Sequence, residues 1–183
     1  MARTIAIVEG KTEVEFVKAT MPRPHVMTPF PNGKRTPVGH ICEAIVDALE
    51  GFGGTNRDVV ILVDREKRDE TAVSIRDTIL KAVSSKFPSM RFHIGVSDRH
   101  IENWIVADES FVKNTYNLPE YSYCGDGAFG DMTLHRLNSD VSIGAVDRAR
   151  LLRAASAKNI AAVSPSFERF VRSIDFDWYW AKT

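Results

Sequence analysis

The chain has 183 residues, with 24 Lys and Arg set against 24 Asp and Glu, and it is 44% hydrophobic and 26% charged. That balance fits one globular domain with its own core, and excludes a disordered, collagen-like or strongly basic chain. Any contact with nucleic acid must come from a local patch or through a bound cation.

Cys42 and Cys124 match no metal or redox spacing. They are read as reduced thiols of a cytoplasmic protein, although the spacing leaves a disulfide open. Glu9 interrupts the first apolar run, so no signal-peptide core is expected. No apolar stretch approaches the roughly 18 residues that cross a membrane.

The first strand is expected over about residues 3–8, where Ile5-Ala6-Ile7-Val8 runs into Glu9 and Gly10. A helix then begins near Thr12 or Glu13, with Val14, Phe16 and Val17 on its apolar side. It stops before Met21-Pro22-Arg23-Pro24, since proline cannot continue it. Residues 25–30 read as a short edge strand, because Pro29 removes a ladder donor. Asn32-Gly33-Lys34-Arg35 is a turn with two cations. Thr36 is read as an N-cap with Pro37 at the first helical position. The second helix carries Ile41, Ala44, Ile45, Ala48 and Leu49 and ends at the glycines from Gly51 onward.

Residues 59–63 are uniformly apolar, as central parallel strands are, and lead into Asp64-Arg65-Glu66. A third helix over about residues 70–86, a fourth strand over 90–96 and a helix over 102–108 complete the alternation. Glycines and tyrosines make residues 117–131 a loop, read as a mobile lid. Residues 146–157 read as one basic helix with Arg148, Arg150 and Arg153, and Ser164-Pro165 starts a last helix. The division is a core over 1–115 and a loop with helical extension over 116–183, packed as a single domain.

The alternation predicts a doubly wound α/β fold. Two buried strands ending in acids suggest a hard-cation site, since Mg²⁺ takes oxygen ligands from a few carboxylates. Glu9 and Asp64 share a cation only if their strands are neighbours. That gives a strand order 2-1-3-4, with the site at the switch point between strands one and three.

The residues from Ile7 to Gly10, with Thr12, Glu13 and Phe16, resemble the first motif of TOPRIM domains. These occur in topoisomerases, bacterial primases and OLD-family nucleases. Glu13 and Phe16 make the run most similar to the OLD nucleases and to small bacterial TOPRIM-like proteins. Residues 60–66 resemble the second motif, with Asp64-x-Glu66 where the family has Asp-x-Asp, so one carboxylate sits a methylene further out. Residues 101–108 and Ser164-Pro165-Ser166-Phe167 are similar to later segments of the small group. The resemblance covers roughly residues 3–108.

It implies a TOPRIM-type fold binding Mg²⁺ or Mn²⁺. Glu9 would be a general acid/base or metal ligand, and Asp64 and Glu66 would be ligands. The activity implied is metal-dependent phosphodiester chemistry on DNA or RNA, most simply hydrolysis by a nuclease. A role in phage defence with an ATPase partner follows from the OLD likeness. The alternative is a catalytically weak TOPRIM-like module that regulates or recruits a partner.

Each residue also has a plainer reading. Glu9 caps the first helix, and Asp64 makes an ordinary strand-end turn. Glu13 is either a catalytic acid that ligates a second metal, as the likeness to OLD nucleases implies, or a solvated first-turn acid favoured by the helix dipole. Glu102 and Asp98 complete a metal site or form surface ion pairs. Lys11 follows Gly10 but is no phosphate-loop lysine, because Ile5 stands where that motif needs glycine. Lys11, Lys34, Arg35, Arg65 and Arg68, with Lys67, Arg99 and His100, form a cationic nucleic-acid-binding rim or are simply solvated. His100 is read as a polar helix-start residue. Trp104 belongs to the core, and Trp178-Tyr179-Trp180 docks on the fold or marks a partner surface.

Overall fold

A computed structural model describes residues 4–30, 36–52, 56–127 and 129–182. Four parallel strands form one sheet: β1 (Ile5–Val8), β2 (His25–Met27), β3 (Asp58–Asp64) and β4 (Arg91–Ser97), in the order β2-β1-β3-β4. This is the expected order, with β2 at the edge. In the register, Ile7 lies opposite Ile61, and Val8 opposite Leu62. Val63 lies opposite Val96, and Asp64 opposite Ser97.

Alternate residues supply the two faces. Ile5, Ile7, Val59, Ile61, Val63, Ile94 and Val96 pack under α2 (Val38–Glu50) and α3 (Ala72–Lys86). Ala6, Val8, Val60 and Leu62 pack under α1 (Lys11–Thr20) and the helices after β4. Helices α1 and α2 leave β1 and β2 in opposite directions and cover opposite faces, the pattern right-handed crossovers produce.

The later helices are α4 (Glu102–Ala107), α5 (Glu109–Tyr116), α6 (Gly130–Leu137), α7 (Ala145–Ala154), α8 (Ala157–Val163) and α9 (Pro165–Ser173), followed by a 3-10 turn, Tyr179–Lys182. They share the α1 face. Trp104, Phe167, Phe170, Trp178 and Trp180 join Phe16 and Leu62 in one buried cluster. Ser164 caps α9 by accepting from Phe167 N, with Pro165 in the first turn, as the sequence suggests. None of the described helices is long and apolar enough to cross a membrane.

Three local expectations need correction. Helix α2 starts one residue later than expected: Pro37 is its N-cap, and its carbonyl accepts from His40 and Ile41. The basic helix ends at Ala154, three residues earlier than expected, and a separate helix starts at Ala157. Asp108, buried after α4, accepts from Ser156 N and Asn159 Nδ2 and turns the chain between α7 and α8. The described residues of the 117–131 stretch are fastened down, which argues against a free lid. Tyr121 OH donates to Val106 O, Tyr123 N donates to Glu109, and Asp126 accepts from Ser164 Oγ and Ser166 N. From Gly130 the chain is already helical.

Gly130 is required by the contact between α6 and α4. A Cβ there would lie 2.7 Å from Asn103 Cα and nearer still to Asn103 N, both rigid backbone. Gly130→Ala is expected to cost about 1–3 kcal/mol through overpacking. Urea unfolding of the variant checks this, and an unchanged midpoint would remove α6 from that contact.

Candidate metal centre

The carboxyl ends of β1 and β3 meet the starts of α1 and α4 in a cleft of about 470 Å³. Five acids line it: Glu9, Glu13, Asp64, Glu66 and Glu102. Of the acids offered as catalytic or metal-binding from the sequence, only Asp98 is not among them.

Glu9 leaves β1 on the edge where β3 ends. Its Oε2 accepts from Asp64 N at 2.9 Å, which ties the two strand ends together. It does not cap α1, whose N-cap is Gly10 without a side-chain bond. The Glu9 carboxyl is pushed up to about 7, first by burial and then by the charge of Asp64. Glu13, in the first turn of α1, is only 4% exposed. Burial, then the charges of Asp64, Glu102 and Glu9, hold its carboxyl well above the usual range. A Cβ on Gly10 would come 2.7 Å from Glu13 Oε2, so glycine leaves room for that carboxylate.

Asp64 Oδ1 accepts from Ser97 Oγ at 2.6 Å, and Oδ2 lies 3.5 Å from His100 Nδ1. Glu102 enters from the first turn of α4. It is raised first by burial and next by Asp64, while Arg148 opposes the rise. Arg148 Nη1 donates to Glu102 Oε1 at 2.7 Å. One ligand atom from each of Asp64, His100 and Glu102 lies within 4.8 Å of the other two, so the three could hold a metal ion.

Glu66 adds two observations. Its Oε2 is buried and has no hydrogen-bond partner, which a cation would supply. Its backbone is left-handed, with φ 51°, and Glu66 N donates to the carbonyl of Arg99, itself at φ 81°. Strained non-glycine residues of this kind are kept where a loop must present a group in one direction. Clustered acids, several with raised proton affinity, and an unpaired carboxylate oxygen fit a metal ion bound through oxygen. His100 places an imidazole nitrogen beside these carboxylates.

The expected cationic rim is largely spent inside the fold. Arg68, 4% exposed at its side chain, donates to the carbonyls of Thr36 and Asp64 and sits 3.6 Å from Glu9. It supports the strand ends and is not available as a surface contact. Arg65 pairs with Asp98 and donates to Arg68 O. Asp98 is therefore not a cleft acid. Arg99 lies over the ring of Phe129 and donates to Gly127 O. Lys11 is exposed and lines the cleft. Lys34 and Arg35 lie outside the described residues.

Two cleft residues are missed from sequence in the roles they take: His100 reads there only as part of the rim or a helix start, and Arg148 is not placed in the cleft. His100 had a clue in its position two residues before Glu102. Arg148 belongs to the basic stretch, but nothing in the spacing brings α7 to α4. A second group, Asp58, His93 and Asp175, stands at the opposite end of β3. There Arg91 already donates twice to Asp58, at 2.8 and 2.6 Å, and His93 Nδ1 is bonded to Ser173 O. Comparison with family models, curated proteins and solved structures finds no match for this chain.

Proposed function

We propose that the chain is a TOPRIM-like nuclease that uses Mg²⁺ or Mn²⁺ to cleave phosphodiester bonds in DNA or RNA. The observation that carries this reading is the convergence of Asp64, His100 and Glu102 within 4.8 Å, ringed by Glu9, Glu13 and Glu66. Asp64, Glu66 and Glu102 would hold the cation, with His100 beside them and Glu13 as auxiliary acid. When bound, the metal neutralises charge on the phosphate oxygens and activates water.

Glu9 suits proton transfer. It is held by Asp64 N at one oxygen, which leaves the other to take or return a proton. Ser97 and the Asp64 amide fix the two carboxylates so that little reorganisation is needed. On the resemblance alone, the reading extends to phage defence alongside an ATPase.

The test is calorimetric titration of Mn²⁺ and Mg²⁺ into the wild type and Glu9→Gln/Asp64→Asn. The same samples are then incubated with single- and double-stranded DNA and RNA. Metal binding and cleavage should both disappear in the double variant, with cleavage reduced by at least about a hundredfold. Absence of metal binding by the wild type sinks the reading.

A second reading is favoured by the inward turn of Arg65 and Arg68, which leaves the rim short of cations. The chain would then be a catalytically weak module that regulates or recruits a partner. It would bind metal yet leave all four nucleic acids intact.

A further inference from the structure

With Arg65 and Arg68 committed elsewhere, the cleft still needs a cation that can meet a substrate phosphate. Among the described residues, Lys11, His100 and Arg148 are the basic groups lining it. Lys11 is an exposed point charge, and His100 is engaged with Asp64. Arg148 alone offers the planar fork that matches a phosphate.

Arg148 stands near the start of α7, which packs against both α1 and α4. Its Nε donates to Ile143 O at 3.1 Å, and its Nη1 donates to Glu102 Oε1 at 2.7 Å. The side chain remains 32% exposed, so solvent and ligand reach it. Its partner is a buried carboxylate of the metal group. Arg148 and Ile143 also line a neighbouring hollow of about 280 Å³ beside Arg136 and His135. The cleft and this hollow therefore adjoin at Arg148.

We propose that Arg148 is a metal-released phosphate clamp, held on Glu102 while the cleft is free of metal and turned onto a backbone phosphate of a single nucleic-acid strand once a divalent cation engages Glu102. The assignment rests on the metal-dependent nuclease reading and gives it a binding order and a strand path.

The electrostatics run one way. Glu102 is buried and needs a positive partner, and Arg148 provides it. A divalent ion at Asp64 and Glu102 takes over that role and repels the guanidinium beside it. Arg148 then exchanges the single Nη1 bond to a carboxylate for a phosphate, which accepts from Nη1 and Nη2 together. The Nε bond to Ile143 O keeps the side chain at the junction of the two hollows. A strand with its reacting phosphate at the acids would have its neighbouring nucleotide at the hollow lined by His135 and Arg136.

The experiment measures anisotropy of a fluorescein-labelled single-stranded DNA oligonucleotide, with Ca²⁺ or with chelator. The proteins are the wild type, Arg148→Met, Arg148→Lys, Glu102→Gln and Glu102→Gln/Arg148→Met, each checked for folding by circular dichroism. In the wild type Ca²⁺ should tighten binding by about tenfold, the worth of one charged hydrogen-bonded contact. Arg148→Met should lose that gain, and Arg148→Lys should keep part of it. Mn²⁺ calorimetry on Arg148→Met should show affinity equal to or above wild type, since Glu102 has lost its competitor. Glu102→Gln should bind the oligonucleotide without metal, and the added Arg148→Met should abolish that binding.

A full Ca²⁺-dependent gain in Arg148→Met overturns the proposal and leaves Arg148 as a neutralising partner of Glu102. If the wild type binds no Mn²⁺, the nuclease reading falls. The metal-free comparison of Glu102→Gln with the double variant then decides separately whether Arg148 takes phosphate.

Discussion

Raising the pH from 4.5 through about 7 is expected to destabilise the metal-free protein by on the order of 3 kcal/mol. The cause lies in the cleft. Glu9 ionises near 4.5 in the unfolded chain but only at about 7 in the fold. Between those values the native state holds a proton that the unfolded state has released, so stability falls as pH rises. Glu13 and Glu102 are also raised, chiefly by burial, and act with the same sign. His100 is raised mainly by its hydrogen bond to Asp64. Its stabilisation is present below its ordinary value and lost as pH climbs through the folded value, again in the same direction.

Urea midpoints measured across this window in chelator should therefore decline, and a flat or rising profile would remove the crowded carboxylates as the cause. Glu9→Gln should flatten the slope and stabilise the protein on the alkaline side. Mn²⁺ should restore stability there, because a ligand that binds only the native state adds to its free energy.

The features of the site that were legible in the sequence are those encoded in contiguous residues. Apolar runs at residues 5–8 and 59–63 each end in acid, and this pattern carried both the strand order and the carboxylate centre. The order followed because Glu9 and Asp64 can meet only if β1 and β3 are neighbours, and the register places them so. Such information is local, since strand and acid are contiguous. What the spacing could not give was the fate of long side chains. Arg68 lies four residues after Asp64 and reads as a surface cation, yet it folds back to the carbonyls of Asp64 and Arg65. Helix α6 was hidden because Gly125, Gly127 and Gly130 signal loop, while the last is glycine for its approach to Asn103. The break between α7 and α8 is set by Asp108, distant in sequence. Arg148 reaches Glu102 through the same tertiary packing.

Trp178→Ala is expected to cost about 3–5 kcal/mol, the range for deleting a fully buried aromatic side chain. Trp178 is 0% exposed and joins the extension to α1. Its ring centroid lies 6.0 Å from those of both Phe16 and Phe170, and it stacks on Phe176 at 6.2 Å. Trp178→Phe should cost far less, because Trp178 Nε1 is a buried donor with no partner and the change removes that penalty. Tyr179, between the two tryptophans, is 54% exposed, and Tyr179→Ala should shift stability by less than about 0.5 kcal/mol. Equal and small effects at Trp178 and Tyr179 would instead mark the segment as a partner surface. Phe16 lies on the same helix as Glu13, so loss of Trp178 also loosens the support of a cleft carboxylate. Mn²⁺ affinity should therefore fall in Trp178→Ala and hold in Tyr179→Ala, coupling the aromatic cluster to the metal centre through α1.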